Sequence, residues 1–525
     1  MRSNLEQFTQ VFSRAIQIEM AEMKRRLGTF EISLGPGKKL PVPTGETIYK
    51  FDLPLNTDKL VPGVECELRF AGGSMLVSVQ ELGSDFIVIC SKASISLTTG
   101  PFSLVVYPWF LYERLIAALE RLAESGKTRV ERDGGFFFES AFRAFGKIKS
   151  NNSFSVMAGT FNQLNESQKS AIRFCLGSDL AFVWGPPGTG KTSTLACLLL
   201  ELLGSAKRVL VASTTNAAVD QVLEKLNDHE EIHPYIDDGQ VLRTGNSDSE
   251  SYGARLSEIS ERLLAREKDE RRGLYADLNR LEQQLSSVPH LREMLEELQN
   301  PDQYDLFELE STKDPLKNLP PSLPREVFDP DEVVKFAELS LPQRASMLGE
   351  KEAVAKADLR ATRERISIEG RRKAELESRI TNEARLTLTT MAAMYVNPTL
   401  LDQRYDVVII EEAGMAVLPA VFYCACIAKS QVFFVGDPKQ LPPIVQSKDP
   451  FVYRAMGRSI FEVTAPDPIA SPVVALLDVQ YRMHPEIGNL ISSFFYNGVL
   501  RNAESTVQMA RIADIAPFCG SAITL

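Results

Sequence analysis

The chain has 525 residues, of which 44% are hydrophobic and 24% charged, and these values exclude a single small module and a wholly disordered protein. The formal net charge of −11 argues weakly against nucleic acid as a partner, so any nucleic-acid surface has to be a local patch. The seven cysteines and four histidines show no metal-ligand spacing. Reduced, buried thiols and a cytoplasmic location are therefore expected, with the nucleus left open as the other location.

Residues 1–150 are predicted to form an accessory domain with helices on either side of a small β-barrel. Apolar residues from Phe8 to Leu27 recur every three or four positions, which is the period of one helical face. From about 29 to 107, short runs alternate apolar and charged side chains between glycines and prolines, which predicts antiparallel strands. Helical spacing returns between Leu111 and Leu122.

Residues 151–450 are predicted to form an α/β core. Apolar, strand-like runs are separated by helical segments, a pattern typical of a parallel sheet covered on both faces; these runs are 180–184, 209–212, 407–410 and 432–435. An insertion over 252–385 has leucines at heptad spacing between 274 and 298, then a proline-rich break and a second, charged helical stretch around 350–380. This pattern predicts an antiparallel coiled coil. This arm is either a solvated spacer or a recruiter of a protein partner. The longest apolar stretch, 415–428, is too short for a membrane span, so no membrane segment is expected.

A phosphate-binding loop is predicted directly after the first of these strands. Its glycines allow backbone N–H groups to turn inward and surround phosphates at the start of a helix. Lys191 is expected to contact the β- and γ-phosphates, and the Thr192 hydroxyl to ligate Mg²⁺. The predicted ATP-binding residues here are Gly185, Pro186, Pro187, Gly188, Thr189, Gly190, Lys191, Thr192 and Ser193.

Two adjacent acids follow the buried strand 407–410 and complete the predicted chemistry of a triphosphate site. Glu411 is expected to hold Mg²⁺, and Glu412 to orient or deprotonate the attacking water. A strand that ends in two acids is more often a solvated loop, but the phosphate loop elsewhere in the chain favours the catalytic interpretation.

Several further motifs, taken in order, resemble the superfamily 1B helicases of the up-frameshift and senataxin type, which have a RecA-like P-loop core. The resemblance covers most of the chain. It rests on the phosphate loop, on the segment 411–414 that begins with Glu411, and on five more segments. These are 164–168, 209–220, a looser match at 387–394, 436–443 and 480–485.

The resemblance implies a role for each matching residue. Gln168 would read the adenine edge and Tyr481 would stack on the adenine. Gln440 would sense the γ-phosphate, and Arg482 would reach it as an arginine finger. Contacts to the nucleic-acid backbone would come from Ser213, Thr214, Asn216, Thr389 and Thr390.

The activity implied is ATP-dependent, Mg²⁺-requiring helicase or translocase movement on single-stranded DNA or RNA in the 5′ to 3′ direction. The barrel would sit over the nucleic-acid channel or only pack against the core. The alternative is an ATP-gated nucleic-acid-binding scaffold with little hydrolysis, which uses the coiled-coil arm to recruit a partner.

Two features depart from the family pattern. Glu411 stands where the family normally has Asp, so altered metal geometry and slow turnover are expected. Residues 451–525 are predicted to be only the beginning of a second RecA-like domain, so a cut chain, a split gene product or a completing partner is expected. The 525 residues alone are then expected to bind ATP and to hydrolyse it weakly or not at all.

Overall fold

A computed structural model of the chain describes residues 4–26, 28–40, 47–53, 65–82, 85–91, 97, 101–125, 161, 163–245, 252–263, 268–297, 332, 335–336, 339–509 and 522–523. The described residues belong to two compact units. The larger comprises those within 1–40, 46–259 and 377–525, and the smaller comprises those within 260–376.

The N-terminal part of the larger unit is a seven-stranded antiparallel sheet with a helix before and after it. Helix α1 is Asn4–Arg26 and α2 is Phe110–Ser125. The strands follow the order β1-β7-β4-β5-β6-β3-β2. Their bounds are β1 Phe30–Leu34, β2 Gly37–Leu40, β3 Thr47–Asp52, β4 Glu65–Phe70, β5 Gly73–Leu82, β6 Phe86–Ser91 and β7 Phe102–Val106. The predicted helices and antiparallel strands are present, and closure of the sheet into a barrel stays a prediction.

The core of the larger unit is a parallel sheet, as the four apolar runs predicted. It has seven strands in the order β10-β11-β9-β12-β13-β8-β14. Its strands are β8 Leu180–Trp184, β9 Val209–Ser213, β10 Val241–Arg243, β11 Leu386–Thr390, β12 Tyr405–Ile410, β13 Ala428–Gly436 and β14 Val474–Leu476. A separate parallel pair contains β15 Val479–Gln480 and β16 Arg501–Asn502.

Helices cover both faces of this parallel sheet. Alternate residues of a strand enter different hydrophobic clusters: Phe182 and Phe434 pack on one face, and Val183 and Phe433 on the other. In chain order, the helices around this part of the chain are α3 Glu166–Gly177, α4 Lys191–Gly204, α5 Asn216–Asn227, α6 His233–Asp237 and α7 Leu256–Leu263, and then α10 Met391–Val396, α11 Leu418–Cys426, α12 Pro450–Val452, α13 Ile460–Thr464 and α14 Pro485–Phe495. Of these, α7 has none of its described residues in either cluster.

The insertion contains two long helices, α8 (Lys268–Glu297) and α9 (Leu341–Glu383). Arg363 of α9 donates to Glu282 of α8, and Arg292 of α8 donates to Glu352 of α9. Arg363, which is later in α9 than Glu352, pairs with Glu282, which is earlier in α8 than Arg292. The two helices therefore run antiparallel. That α8 and α9 pack against each other as a coiled coil with heptad contacts stays a prediction.

The helices and the cysteines of the described residues bear on the expected absence of a membrane segment and on the expected buried thiols. Within them, no helix combines the length and the apolar character needed to cross a membrane. Six of the seven cysteines are free thiols buried in the fold, and burial raises the pKa of Cys175 to about 12. The seventh, Cys519, lies outside the described residues.

Helix α1 is fixed to the core through a buried acid. The Phe12 ring lies 5.3 Å from that of Phe422, measured between centroids. Glu19 is almost fully buried, and its two carboxylate oxygens accept the backbone N–H groups of Gln446 and Ser447 at 2.6 and 2.8 Å. These two bonds tie α1 to the residues that follow segment 436–443, which contains the predicted γ-phosphate sensor Gln440.

Glu19→Ala is expected to lower the free energy of unfolding by about 3 kcal/mol, because two N–H groups of half-buried residues lose their carboxylate acceptor. Glu19→Gln keeps one acceptor oxygen and is expected to lose about half as much. Urea titration followed by circular dichroism measures both changes. Glu113→Ala, which removes an exposed acid of α2, is the control and should stay within about 0.5 kcal/mol. An equal loss of unfolding free energy in Glu19→Ala and in the control would contradict the conclusion that Glu19 ties α1 to the core.

Candidate nucleotide-binding site

The loop between β8 and α4 has the backbone geometry of a phosphate cradle. Gly188 and Gly190 both have φ of +76°, a left-handed conformation that favours glycine. Gly190 is the N-cap of α4 and has no side chain to occupy the first N–H groups of the helix. Those N–H groups and the positive end of the helix dipole therefore favour an anion here.

Lys191 folds back along the same loop. A Cβ on Gly185 would overlap the Lys191 side chain, so the lysine needs glycine at this position. Its ammonium donates to the Gly185 carbonyl at 2.9 Å, and the buried Thr189 hydroxyl donates to the Pro186 carbonyl at 2.7 Å. The loop thus fixes its own shape and holds Lys191 over it. Pro187 completes the turn, and Thr192 and Ser193, both half-buried, lie in the first turn of α4.

Tyr481 and Arg482 dock directly on this loop, although nearly 300 residues separate them in sequence. The Tyr481 backbone N–H donates to the Gly188 carbonyl at 2.8 Å. A Cβ on Gly188 would lie only 2.6 Å from the Arg482 Cβ, so this glycine also makes room for the arginine backbone. The structure therefore brings the predicted adenine-stacking and arginine-finger residues to the phosphate loop.

The start of α3 joins the same assembly. Asn165 and Gln168 form a reciprocal capping box, in which each side chain accepts the other's backbone N–H. The Asn165 side-chain amide also donates to the Tyr481 hydroxyl at 2.8 Å, and the Gln168 amide donates to the Thr189 carbonyl at 3.0 Å. Gln168 thus helps to hold the phosphate loop, and its contact with adenine stays a prediction.

Glu411 is a buried acid whose charge is disfavoured. It is 5% exposed and follows β12. Burial, and then the neighbouring Glu412 carboxylate, raise its pKa to about 7, against the lowering effects of the Ser213 hydroxyl and Lys191. The Ser213 Oγ donates to the Glu411 Oε2 at 2.7 Å. Ser213 therefore orients the longer side chain that stands where the family has Asp.

Glu412 has a strained backbone. Its φ is +51°, which is uncommon for a residue with a side chain, and it is only half-buried. Such a conformation costs of order 1–3 kcal/mol and persists only where surrounding contacts enforce it. Here the Glu412 carbonyl accepts the N–H of Met415, and the next residue, Ala413, donates to Val435 of β13. The turn therefore directs two successive carboxylates differently, one into the core and one outward.

Gln440 lies in the loop that follows β13, where it contacts a buried acid. Its side-chain amide donates to Asp437 Oδ2 at 3.2 Å. The backbone link from the Gly185 N–H to the Gly436 carbonyl, 3.0 Å long, attaches the start of the phosphate loop to the end of β13. Gln440 is consequently tied to the site through Asp437, which the sequence reasoning left without a role.

Sequence reasoning also left out the role of Gln480, which shapes the Tyr481–Arg482 turn. Its fully buried amide oxygen accepts the N–H groups of Arg482 and Met483 at 2.9 and 2.7 Å. Its amide nitrogen donates to the Met483 carbonyl and to the Asn502 side chain. Gln480 is the first residue of segment 480–485, which resembles the helicase family. This membership was the only sequence signal that Gln480 has a function.

The five predicted nucleic-acid contacts lie at the ends of two adjacent strands. β9 and β11 run parallel with Ser213 opposite Thr390. Thr214 and Asn216 are half-buried just beyond β9, and nucleic-acid contact by them stays a prediction. Asn216 is held in place because Arg243 donates to its side-chain oxygen at 3.1 Å.

The side chains of the other three residues are buried and already hydrogen-bonded, and nucleic-acid contact by them stays a prediction. Ser213 donates to Glu411, as described above. The fully buried Thr389 hydroxyl accepts from Thr244 at 2.6 Å, and the Thr390 hydroxyl caps α10 by accepting a backbone N–H. Ser213 thus lies against the acidic site, and the two threonines make hydrogen bonds at the ends of the strands.

The residues present fit Mg²⁺ bound together with phosphates. Within the described part of the chain, no group of three or more His, Cys, Asp or Glu residues is arranged to hold a metal by itself. One carboxylate, Glu411, and one hydroxyl, Thr192, beside a phosphate cradle match the preference of Mg²⁺ for few protein ligands plus phosphate oxygens.

Fold and site together define a P-loop nucleotide-binding protein with a RecA-like α/β core. Residues 163–448 match a family model described as an AAA domain, and residues 456–517 match a second model with the same description. The first match covers more than half of the chain. The chain belongs to the superfamily 1 helicases of the up-frameshift and senataxin type.

Similar curated proteins include helicases from fungi and a plant protein. "DNA polymerase alpha-associated DNA helicase A" of Saccharomyces cerevisiae is 24% identical over 70% of this chain and 46% of its own length. "Regulator of nonsense transcripts 1 homolog" of Arabidopsis thaliana is 23% identical over 86% of the chain and 30% of its own length. "ATP-dependent helicase upf1" of Schizosaccharomyces pombe is 26% identical over 67% and 30%, respectively. The chain therefore spans less than half the length of these relatives.

Glu411→Gln is expected to stabilise the metal-free protein at pH 8 by roughly 2–3 kcal/mol and to have little effect at pH 5. The folded-state pKa is raised from 4.5 to about 7, so the folded protein holds this proton more tightly than the unfolded chain. As pH rises from 4.5 to about 7, ionisation of Glu411 therefore lowers the free energy of unfolding more and more. Glutamine does not ionise, so Glu411→Gln avoids this loss. Thermal unfolding in EDTA at the two pH values measures the difference.

Ser213→Ala is the matched control for this prediction. It removes the hydroxyl that favours the charged form of Glu411, so its destabilisation should be larger at pH 8 than at pH 5. A Glu411→Gln effect of the same size at both pH values would contradict the raised pKa.

Proposed function

We propose that this chain is an ATP-dependent helicase or translocase, or the N-terminal part of one, that couples ATP hydrolysis to movement on single-stranded nucleic acid. The single observation that carries the proposal is the docking of Tyr481 and Arg482 on Gly188 of the phosphate loop. Through this contact, a nucleotide in the loop touches residues from both AAA-matched segments. Nucleotide binding and release can then change how those segments are held together.

The ATP site would work as follows. The loop N–H groups and Lys191 bind the β- and γ-phosphates, and the 41% exposed Tyr481 ring stacks on the base. Thr192 and Glu411 would hold Mg²⁺, which when bound neutralises phosphate charge. Water attacks the γ-phosphorus, the bond to the bridging oxygen of ADP breaks, and Glu412 accepts the proton of the water. Arg482 stabilises the charge that develops on the γ-phosphate.

Movement on the strand would depend on residues at the ends of the parallel strands. Thr214 and Asn216 contact backbone phosphates, which carries no preference for base sequence. The family likeness implies 5′ to 3′ travel. One relative is named for DNA and another for nonsense transcripts, so DNA and RNA both stay open as substrates. The N-terminal antiparallel sheet corresponds to the family's small barrel, which would sit over the nucleic-acid channel.

The domain boundaries that we propose with this function are those predicted from the sequence. Residues 1–150 form the accessory domain, 151–450 the first RecA-like domain, and 451–525 the beginning of the second. An ATP-gated scaffold with little hydrolysis is not favoured, because the similar proteins are named as helicases.

Lys191→Ala is expected to weaken Mg-ATP binding by about 10- to 100-fold, since charge-assisted bonds to phosphate are lost. Glu412→Gln is expected to leave ATP affinity nearly unchanged and to slow by about 100-fold or more any single-turnover hydrolysis that the unmodified chain shows with a single-stranded oligonucleotide. Isothermal titration calorimetry and phosphate release measure these effects. Lys225→Ala, at an exposed lysine of α5, is the control. Unchanged ATP affinity in Lys191→Ala would refute the proposed site.

We also propose that the helical arm recruits a protein partner, and the arm's own compact unit at 260–376 supports this. Replacing 268–376 by a short Gly/Ser linker should abolish capture of the partner and leave ATP affinity unchanged. Affinity isolation followed by mass spectrometry, with calorimetry in parallel, measures both. If strand-stimulated ATP turnover is lost and the captured proteins are unchanged, the arm belongs to the motor instead.

A further inference from the structure

Asp437 is a buried carboxylate that gathers hydrogen bonds from three separate parts of the site. It is 1% exposed. Its Oδ1 accepts the Trp184 indole N–H and the Lys439 backbone N–H, both at 3.0 Å. Its Oδ2 accepts the Tyr496 hydroxyl at 2.7 Å and the Gln440 amide at 3.2 Å. All four donors are uncharged, so hydrogen bonds rather than an ion pair hold this acid in place.

Each side-chain donor belongs to a working part of the nucleotide site. Trp184 is the last residue of β8, next to Gly185 of the phosphate loop. Gln440 is the predicted γ-phosphate sensor. Tyr496 directly follows α14, the helix that begins just after the Tyr481–Arg482 turn. Asp437 therefore touches the loop strand, the sensor and the second AAA-matched segment.

The two bonds at Oδ2 compete with each other. Two donors that share one oxygen divide its negative charge, so each bond is weaker than it would be alone. Tyr496 is almost fully buried, with its ring 6.1 Å from that of Trp184, so this hydroxyl has a fixed position. Gln440 is only half-buried and is the donor that is free to leave.

We propose that Asp437 is a positioning residue that links the γ-phosphate site, through Gln440, to the attachment of α14, through Tyr496. The inference rests on the proposed ATP site. When the γ-phosphate draws Gln440 away, Tyr496 becomes the only donor at Oδ2 and holds α14 more tightly. When phosphate leaves, Gln440 returns and the Tyr496 bond weakens. Because coupling is reciprocal, the Tyr496 hydroxyl has to favour ATP over ADP.

Tyr496→Phe in the full 525-residue chain tests this coupling. The chain has two tryptophans, so a Trp109→Phe background leaves Trp184, which is bonded to Asp437, as the fluorescent reporter. Affinities for a non-hydrolysable ATP analogue and for ADP, both with Mg²⁺, are read from its emission. We expect the ratio of ATP-analogue to ADP affinity to fall by about three- to tenfold, with ADP affinity unchanged within about twofold.

Gln440→Ala completes a double-mutant cycle. The coupling runs through the sensor, so Tyr496→Phe should have no further effect on the ratio once Gln440 is replaced. Tyr453→Phe, at an exposed tyrosine, is the control and should leave the ratio unchanged. Thermal unfolding of every variant shows whether each one folds.

The possible outcomes separate this inference from the proposed function. An unchanged ratio in folded Tyr496→Phe, or equal losses of affinity for both nucleotides, would overturn the coupling and leave the ATP site intact. Additive effects in the double mutant would also overturn it. Failure of the unmodified chain to bind either nucleotide would overturn the proposed function and this inference with it.

Discussion

The close approach of other chain segments to the phosphate loop is the constraint on which the site depends. At three glycines of this loop, an added Cβ would collide with a residue of the site: Lys191 at Gly185, Arg482 at Gly188, and Gln168 at Gly190. The loop therefore serves two purposes with one backbone. It leaves the first N–H groups of α4 without a capping side chain and so available for phosphate. It also lets Lys191, the Tyr481–Arg482 turn and Gln168 converge on one place.

The parallel sheet explains why the acids meet at the same place. β9, β12, β13 and β8 are neighbours, and the carboxyl ends of parallel strands share one edge. Ser213, Glu411, Asp437 and Gly185 all stand at or just beyond these ends. Buried carboxylates at such an edge need donors, and the fold supplies uncharged ones: a serine hydroxyl for Glu411, and indole, phenol, amide and backbone groups for Asp437. The acids stay responsive to a ligand because no fixed cation is hydrogen-bonded to them.

Much of this arrangement follows from the sequence, because the strands are continuous apolar runs and the phosphate loop and the Tyr481–Arg482 segment are recognisable patterns. Burial at the strand ends is what pattern reasoning missed. Ser213, Thr389 and Thr390 have side chains suited to phosphate contacts, but the pairing of β9 with β11 and β12 directs them into the protein. The roles of Asp437, Gln480 and Tyr496 depend on contacts across more than 20 residues of sequence, which periodicity does not report.

A crystal structure of the chain with a non-hydrolysable ATP analogue and Mg²⁺ tests this assembly directly. We predict phosphates in the 185–192 loop, the base against Tyr481, Mg²⁺ near Thr192 and Glu411, and Gln440 moved from Asp437 to the γ-phosphate. Nucleotide bound elsewhere, or bound in the loop with Tyr481 and Arg482 withdrawn from it, would contradict the central claim that one loop assembles the site from both AAA-matched segments.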